Sequence, residues 1–271
     1  MINFLVIGDV IGRPGRNILT EGLSILRSQK KIDILLVNGE NVAGGFGITR
    51  KTYSYLVDKL GVDVITLGNH WHDKPEVDEL TSLEDSRLVV PYNAKGIKEG
   101  VSAGVGYRIF TTRQGLQYVV MNVLGKVFMN PETRSPFESV ELMLQDPVVQ
   151  KVAIKLLDVH AEATSEKQGM GFYFASRCSI IYGTHSHVPT SDERILEDHA
   201  GFITDIGMTG GYDSVIGMKK SRAIERMLSG THNKLEPSKK DGWLCALYCS
   251  VEEDGRCSKI ERIQMRLSNL Q

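Results

Sequence analysis

The chain has 271 residues, 41% hydrophobic and 24% charged, with a net charge of −1. That is ordinary for a soluble globular chain and long enough for a large core. It excludes a strong basic field that would hold nucleic acid without sequence preference. No apolar run approaches the length of a membrane span. Met1 to Ile7 reaches Asp9 too soon for a secretion signal and lacks a basic leader. The four cysteines, Cys178, Cys245, Cys249 and Cys257, form no Cys-x-x-Cys pair. They read as reduced thiols of a cytoplasmic protein rather than a zinc ribbon or a disulfide framework.

Ile2 to Gly8 is an apolar run of the kind expected of a parallel strand buried on both faces. Asp9 stands at its end, followed by a loop through Gly15 and a helix predicted from about Arg16 to Ser28. Ile32 to Val37 is the second strand and ends in Asn38-Gly39-Glu40-Asn41. Thr49 can cap a helix that runs to about Leu60. Val62 to Leu67 is the third strand, ending in Gly68-Asn69-His70-Trp71-His72, and Pro75 starts a short helix. Three strand–loop–helix units are the signature of an α/β fold.

From Leu88 the periodicity changes. Tyr107 to Thr112 and Gln117 to Leu124 predict an antiparallel pair, and Pro136 to Gln145 a helix. Val152 to Val159 is a strand that delivers His160, with helix signals from Thr164 to Phe174. The strand Cys178 to Tyr182 leads into Gly183-Thr184-His185-Ser186-His187. On an extended segment, histidines two apart face the same side. Gly201 to Thr204 is a short strand before the glycine-rich stretch 205–211. A helix over Lys219 to Leu228, a loop over Thr231 to Asp241 and a closing hairpin, Gly242 to Glu253 with Cys257 to Leu267, complete the chain. No repeat, low-complexity tract or linker interrupts 1–271, which reads as one domain. The expected core is a largely parallel sheet, or two stacked sheets, with helices outside.

The polar residues at the strand ends are Asp9, Glu40 with Asn41, Asn69 with His70, His160, and His185 with His187. Open α/β sheets place their sites at the carboxyl ends of strands. Each of these residues alone has an ordinary structural role: Asp9 can cap a helix, and His160 can be a satisfied core histidine. Together they supply carboxylate, imidazole and amide oxygen, a set that suits Mn²⁺, Fe or Zn²⁺ over an all-oxygen Mg²⁺ site. Two cations sharing a bridging carboxylate would polarise a phosphoryl group and generate a nucleophile at neutral pH. The two histidines in polar stretches, His199 and His232, read as solvated surface.

These motifs carry a resemblance that covers nearly the whole chain. Gly8-Asp9, Gly39-Glu40-Asn41, Gly68-Asn69-His70 and Gly183-x-His185-x-His187, with His160 between, resemble the calcineurin-like metallophosphoesterases. The match is closer to the YmdB-like branch of cyclic-nucleotide phosphodiesterases. Its marks here are the segments 8–16, 38–41, 160–167 and 204–210. The resemblance implies two mixed β-sheets flanked by helices. It implies one metal held by Asp9, Glu40, Asn41 and His187 and another by Glu40, Asn69, His160 and His185, with Glu40 bridging. His70 would lie beside the metals as the catalytic residue without ligating them. Two departures from the broad superfamily are shared with the branch. Ile11 stands where a histidine is usual, and Glu40 where the bridge is usually Asp.

The implied activity is metal-dependent hydrolysis of a phosphodiester, with 2′,3′-cyclic nucleotides the substrate class the branch suggests. A phosphomonoesterase or protein phosphatase on the same metals is a competing reading, and a nucleotide- or RNA-binding regulator with structural metals is another. His72 is a further candidate lining residue, Arg13 and Arg16 could touch phosphate, and Phe46 in the 44–47 loop could stack on a base. The 207–211 run could approach the site or a subunit contact, which leaves a homo-oligomer open.

Overall fold

A computed structural model describes residues 1–94, 105–129, 134–230 and 234–267. His232 and part of the expected 231–241 loop lie outside the described residues. In chain order the elements are β1 (Ile2–Ile7), β2 (Asp9–Val10), α1 (Gly12–Gln29), β3 (Ile34–Asn38), α2 (Arg50–Ser54), β4 (Val64–Thr66), α3 (Glu76–Ser82) and β5 (Leu88–Val89). There follow β6 (Tyr107–Thr111), β7 (Gln117–Leu124), α4 (Pro136–Gln145), α5 (Pro147–Gln150), β8 (Ile154–His160), α6 (Thr164–Phe174) and β9 (Ile180–Thr184). The last are β10 (Arg194–Leu196), β11 (Ala200–Ile203), β12 (Met208–Gly211), α7 (Lys220–Ser229), β13 (Gly242–Val251) and β14 (Cys257–Leu267).

Two mixed sheets stack face to face. One runs β2-β12-β13-β1-β3-β4-β5, with β14 on β13; the other runs β10-β11-β9-β8-β7-β6. In the first, β1, β3, β4 and β5 are parallel, and β13 lies antiparallel to β1. In the second, β7, β8, β9 and β11 are parallel, with β6 and β10 antiparallel at the edges. The period-two alternation of strand side chains assigns each residue to a layer. Phe4, Val6, Leu36, Val64, Tyr118, Val120, Leu156, Ile180 and Tyr182 fill the space between the sheets. Leu5, Ile7, Leu35, Val37 and Ile65 face outward against Leu19, Leu23 and Leu26 of α1. Val119, Met121, Leu157, Val159 and Ile181 pack outward against Val140 and Met143 of α4 and Met170 and Phe174 of α6.

The parity matters for the site. Continuing the inward-facing positions of the same strands toward their carboxyl ends gives Asn38, Thr66, Asn122, Asp158 with His160, and Thr184, all buried. The inter-sheet layer is apolar for most of its length and becomes polar only where the parallel strands of both sheets end.

Several expectations need correction. Helix α1 begins at Gly12, not Arg16. Pro14 sits in its first turn, where a missing N–H costs nothing because those groups have no intrahelical acceptor. The helix expected from Thr49 to Leu60 is a short α-helix followed by a π-helical turn, Tyr55–Lys59. Thr49 does cap it, in a reciprocal box with Thr52. The stretch 207–211 is not a loop throughout, because Met208–Gly211 forms β12, parallel to β2 and antiparallel to β13. Gly207, at φ +89, makes the turn that launches it. All four cysteines are free and buried, and no helix among the described residues is long and apolar enough to cross a membrane.

Candidate metal centre

Asp9, Glu40, Asn69, His160, His185 and His187 come together where the carboxyl ends of β1, β3, β4, β8 and β9 meet. Their donor atoms fall into two groups, Asp9 with Glu40 and His187, and Glu40 with His160 and His185, each spanning at most 4.8 Å. Glu40 belongs to both. Its carboxylate accepts the His70 backbone N–H at 3.1 Å and the Asn41 amide at 2.9 Å, and lies 3.3 Å from His160 Nε2. Gly68 makes room for this: a Cβ there would lie 2.3 Å from Glu40 Oε2 and 2.2 Å from His160 Nε2.

The remaining ligand candidates attach to the same partition. Asn69 Oδ1 is 3.0 Å from His160 Nε2, so its amide oxygen faces the second group. Asn41 sits by the first, with Nδ2 3.2 Å from His187 Nε2. Its nitrogen, not its oxygen, points at the cluster, so ligation by Asn41 requires the amide to turn over.

The histidine pair did not arise as strand alternation predicts. Strand β9 ends at Thr184, and His185 and His187 adopt positive φ, 93° and 63°. Non-glycine residues rarely hold such angles unless their surroundings enforce them. The turn sends the two rings to different groups rather than to one side. A buried ion pair holds it in place: Lys167 Nζ lies 2.6 Å from Asp205 Oδ2, and that oxygen also accepts the Ser186 hydroxyl at 2.8 Å and the Ser186 backbone N–H at 3.2 Å. Asp205 Oδ1 accepts the Gly207 N–H. Lys167 and Asp205 fall in the segments 160–167 and 204–210, whose purpose the sequence left open.

Beneath His160 lies a second support. The Thr184 hydroxyl donates to Asp158 Oδ1 at 2.7 Å and therefore accepts from His160 Nδ1 at 2.9 Å. That direction keeps a proton on Nδ1, so Nε2 is the nitrogen that faces the cluster and would ligate once it gives up its own proton. Thr66 donates to the other Asp158 oxygen at 2.5 Å. Burial pushes the Asp158 carboxyl up to about 6. His187 is fixed the same way, Nδ1 donating to the Ile216 carbonyl at 2.9 Å. His185 has Glu162 3.1 Å from Nε2 and turns Nδ1 toward His160.

The electrostatics mark a place for positive charge. Burial pushes the Asp9 carboxyl up, and its Oδ1 is buried with no hydrogen-bond partner. Burial also opposes the charged form of His160, but Glu40 overrides it and carries the imidazole up to about 9, while Glu40 is held well below the usual carboxylate range. Burial and the neighbouring His160 push His185 down to about 3. Two buried carboxylates, an orphaned oxygen and three crowded imidazoles are a donor set that fits two divalent cations.

Other expectations sort plainly. His70 lies beside the cluster, its Nδ1 2.8 Å from Asp73 Oδ2 and its ring met edge-on by Phe46 at 4.9 Å. His72 is exposed and pairs with Asp78, away from the donor groups. Arg16 donates to the Val42 carbonyl at 2.5 Å and so holds a loop; Arg13 is exposed. His199 is half-buried between β10 and β11 rather than fully solvated. Thr184, Asp158, Glu162, Lys167, Asp205 and Asp73 hold the cluster's side chains or its turn through hydrogen bonds and ion pairs, roles that the sequence did not assign. Their distance in sequence from their partners left no local signal, save Asp73 three residues after His70.

Thr184→Val keeps the shape of the side chain and removes the link between Asp158 and His160. Supporting hydrogen bonds of this kind are worth about 10–100-fold in metal affinity. Competitive metal titration should show a loss of that size for Thr184→Val and near-normal affinity for Thr184→Ser. Equal affinity in all three proteins would show that the relay does not position His160.

The chain is similar to known proteins along nearly its whole length. The model of the YmdB-like protein family matches residues 5–263. A 2′,3′-cyclic-nucleotide 2′-phosphodiesterase of Bacillus subtilis (strain 168) is 34% identical over 264 residues, 97% of this chain and 96% of the relative. The crystal structure of a hypothetical protein from Thermus thermophilus superposes with a TM-score of 0.87 at 33% identity, covering 98% of this chain and 99% of the other. A novel phosphatase from Mycoplasma pneumoniae gives 0.87 at 31%, covering 98% and 93%. With a match across nearly its whole length, the chain belongs to the YmdB-like family.

Proposed function

We propose that this protein is a binuclear metal-dependent phosphodiesterase, acting on 2′,3′-cyclic nucleotides, and that the whole chain works as one catalytic unit. The observation that supports it most is the single buried carboxylate of Glu40 shared by two donor groups. In this reading Asp9, Glu40, Asn41 and His187 hold one ion, and Glu40, Asn69, His160 and His185 the other. The mixed nitrogen and oxygen donors favour Fe or Mn, with Zn also accommodated. When bound, the ions supply Lewis-acid polarisation of the phosphoryl group and a nucleophile at neutral pH. Free buried thiols fit a reducing, cytoplasmic setting.

The chain's own residues supply the rest. Asp73, accepting from Nδ1 of His70, leaves Nε2 free to carry a proton to the departing ribose oxygen. Phe46 against the ring limits its rotation. Lys167 is neutralised by Asp205, and Arg16 is bound to a backbone carbonyl. Neither is free to take the second negative charge of a monoester, which favours the singly charged diester.

The direct test is hydrolysis of 2′,3′-cyclic AMP by metal-loaded protein, with bis-(p-nitrophenyl) phosphate and p-nitrophenyl phosphate as matched probes. Diester turnover should exceed monoester turnover; a strong monoester preference would establish the phosphatase reading instead. His70→Ala should lose about 10²–10⁴-fold in kcat while elemental analysis finds its metal content unchanged. Near-normal turnover in that variant would make His70 a packing residue, and loss of metal with activity would make it a ligand.

A further inference from the structure

The opposite end of the inter-sheet layer holds a second concavity. It opens where β1, β3 and β4 begin and where the turn between β6 and β7 closes, so the full depth of the core separates it from the metal centre. Its volume is about 740 Å³, within the range of roughly 300–1,000 Å³ that small-molecule sites occupy.

The lining is not that of a chance crevice. Arg27, Arg87 and Arg113 reach it from α1, from the residue before β5 and from the β6–β7 turn. Arg27 gives one N–H to the Leu60 carbonyl at 2.7 Å. Among the described residues, the guanidiniums of half-buried Arg87 and exposed Arg113 make no hydrogen bond or close ion pair, though both act electrostatically on Asp63. Two carboxylates share the lining. Asp33 accepts from the backbone and side chain of Asn3, both at 2.9 Å, and pairs with Lys31; Asp63 accepts the Leu35 N–H at 2.8 Å.

Tyr118 adds a polar group on a fixed ring. It is 1% exposed, and its ring is fixed edge-on to Phe4 and stacked on Phe110. It lines the cavity, so its hydroxyl is available to a ligand there. Three guanidiniums, two carboxylates and a phenolic hydroxyl thus surround one cavity, with donors in excess.

We propose that this cavity is a second ligand site, for a small phosphomonoester. Forked guanidinium donors suit phosphate oxygens, and three guanidiniums against two carboxylates leave the lining positive on balance. The cavity is too large for phosphate alone, and Ile2, Ile32 and Ile34 give it an apolar wall for an organic body. None of these residues belongs to the metal centre, so the site stands or falls separately from the proposed catalytic function.

The test is NMR of protein carrying labelled isoleucine methyl groups, titrated with AMP and, separately, with inorganic phosphate. Ile2, Ile32 and Ile34 report the cavity, and Ile11 and Ile206 the opposite end. AMP should shift the first three saturably, with affinity at least roughly tenfold weaker in Arg87→Gln/Arg113→Gln and unchanged in Asp9→Asn. Diester turnover of the double arginine variant should match the parent. No saturable shift at those methyls, or equal shifts in the double variant, would overturn the proposal. Inorganic phosphate binding as tightly as AMP would overturn its claim on the ester.

Discussion

Everything at the candidate metal centre depends on burying one carboxylate, Glu40, between two sheets. An isolated buried anion is costly, and the cost is met only by donors and cations arranged around it. One sheet contributes Glu40 itself, Asp9 and the His70 N–H; the other contributes His160 and, beyond its end, His185. Neither sheet completes the cluster alone. The register of stacking is therefore part of the chemistry, and the apolar layer from Phe4 and Tyr118 up to Leu36 and Leu156 sets it. Above that layer the polar shelf of Asn38, Thr66, Asp158 and Thr184 gives the imidazole of His160 a fixed direction.

Ile11 is explained by the same packing. Its side chain is buried against Met208 and Met218, with Phe46 alongside, and it lies against Gly210 and Gly217. The position that carries a histidine elsewhere in the superfamily is here committed to an apolar plug between the first strand and the 207–218 segment. The first donor group then has one imidazole, His187, whose orientation comes from the Ile216 carbonyl in that same segment. The glycine-rich stretch thus serves the site twice, through packing and through a hydrogen bond.

Much of this was legible because strand-end placement is a local property. An apolar run followed by Asp9, Glu40, Asn69 or His160 announces both a strand and a polar residue at its end. The partition into two groups around Glu40 came from resemblance; in the structure the donor atoms of Asp9, Glu40 and His187, and those of Glu40, His160 and His185, lie within 4.8 Å of one another. What stayed hidden were contacts between residues far apart in sequence. Lys167 and Asp205 are 38 residues apart, and Asp158 and Thr184 are 26 apart. Nothing in either neighbourhood names the other. The His185–His187 turn was misjudged because period-two reasoning holds only inside a strand, and the tertiary ion pair below it enforces a backbone that the residues themselves disfavour. Strand β12 was missed because glycine lacks the side chains by which strands are recognised, while close backbone neighbours are what demand it there.

The central claim is that Glu40 bridges two ions. Anomalous X-ray scattering from crystals of the metal-loaded chain, recorded at the absorption edge of the bound element, tests it most directly. The account predicts two peaks per chain, both in ligating contact with Glu40, one also with Asp9 and His187 and the other with His160 and His185. A single peak that Glu40 does not touch, or two peaks that do not share it, would contradict the account.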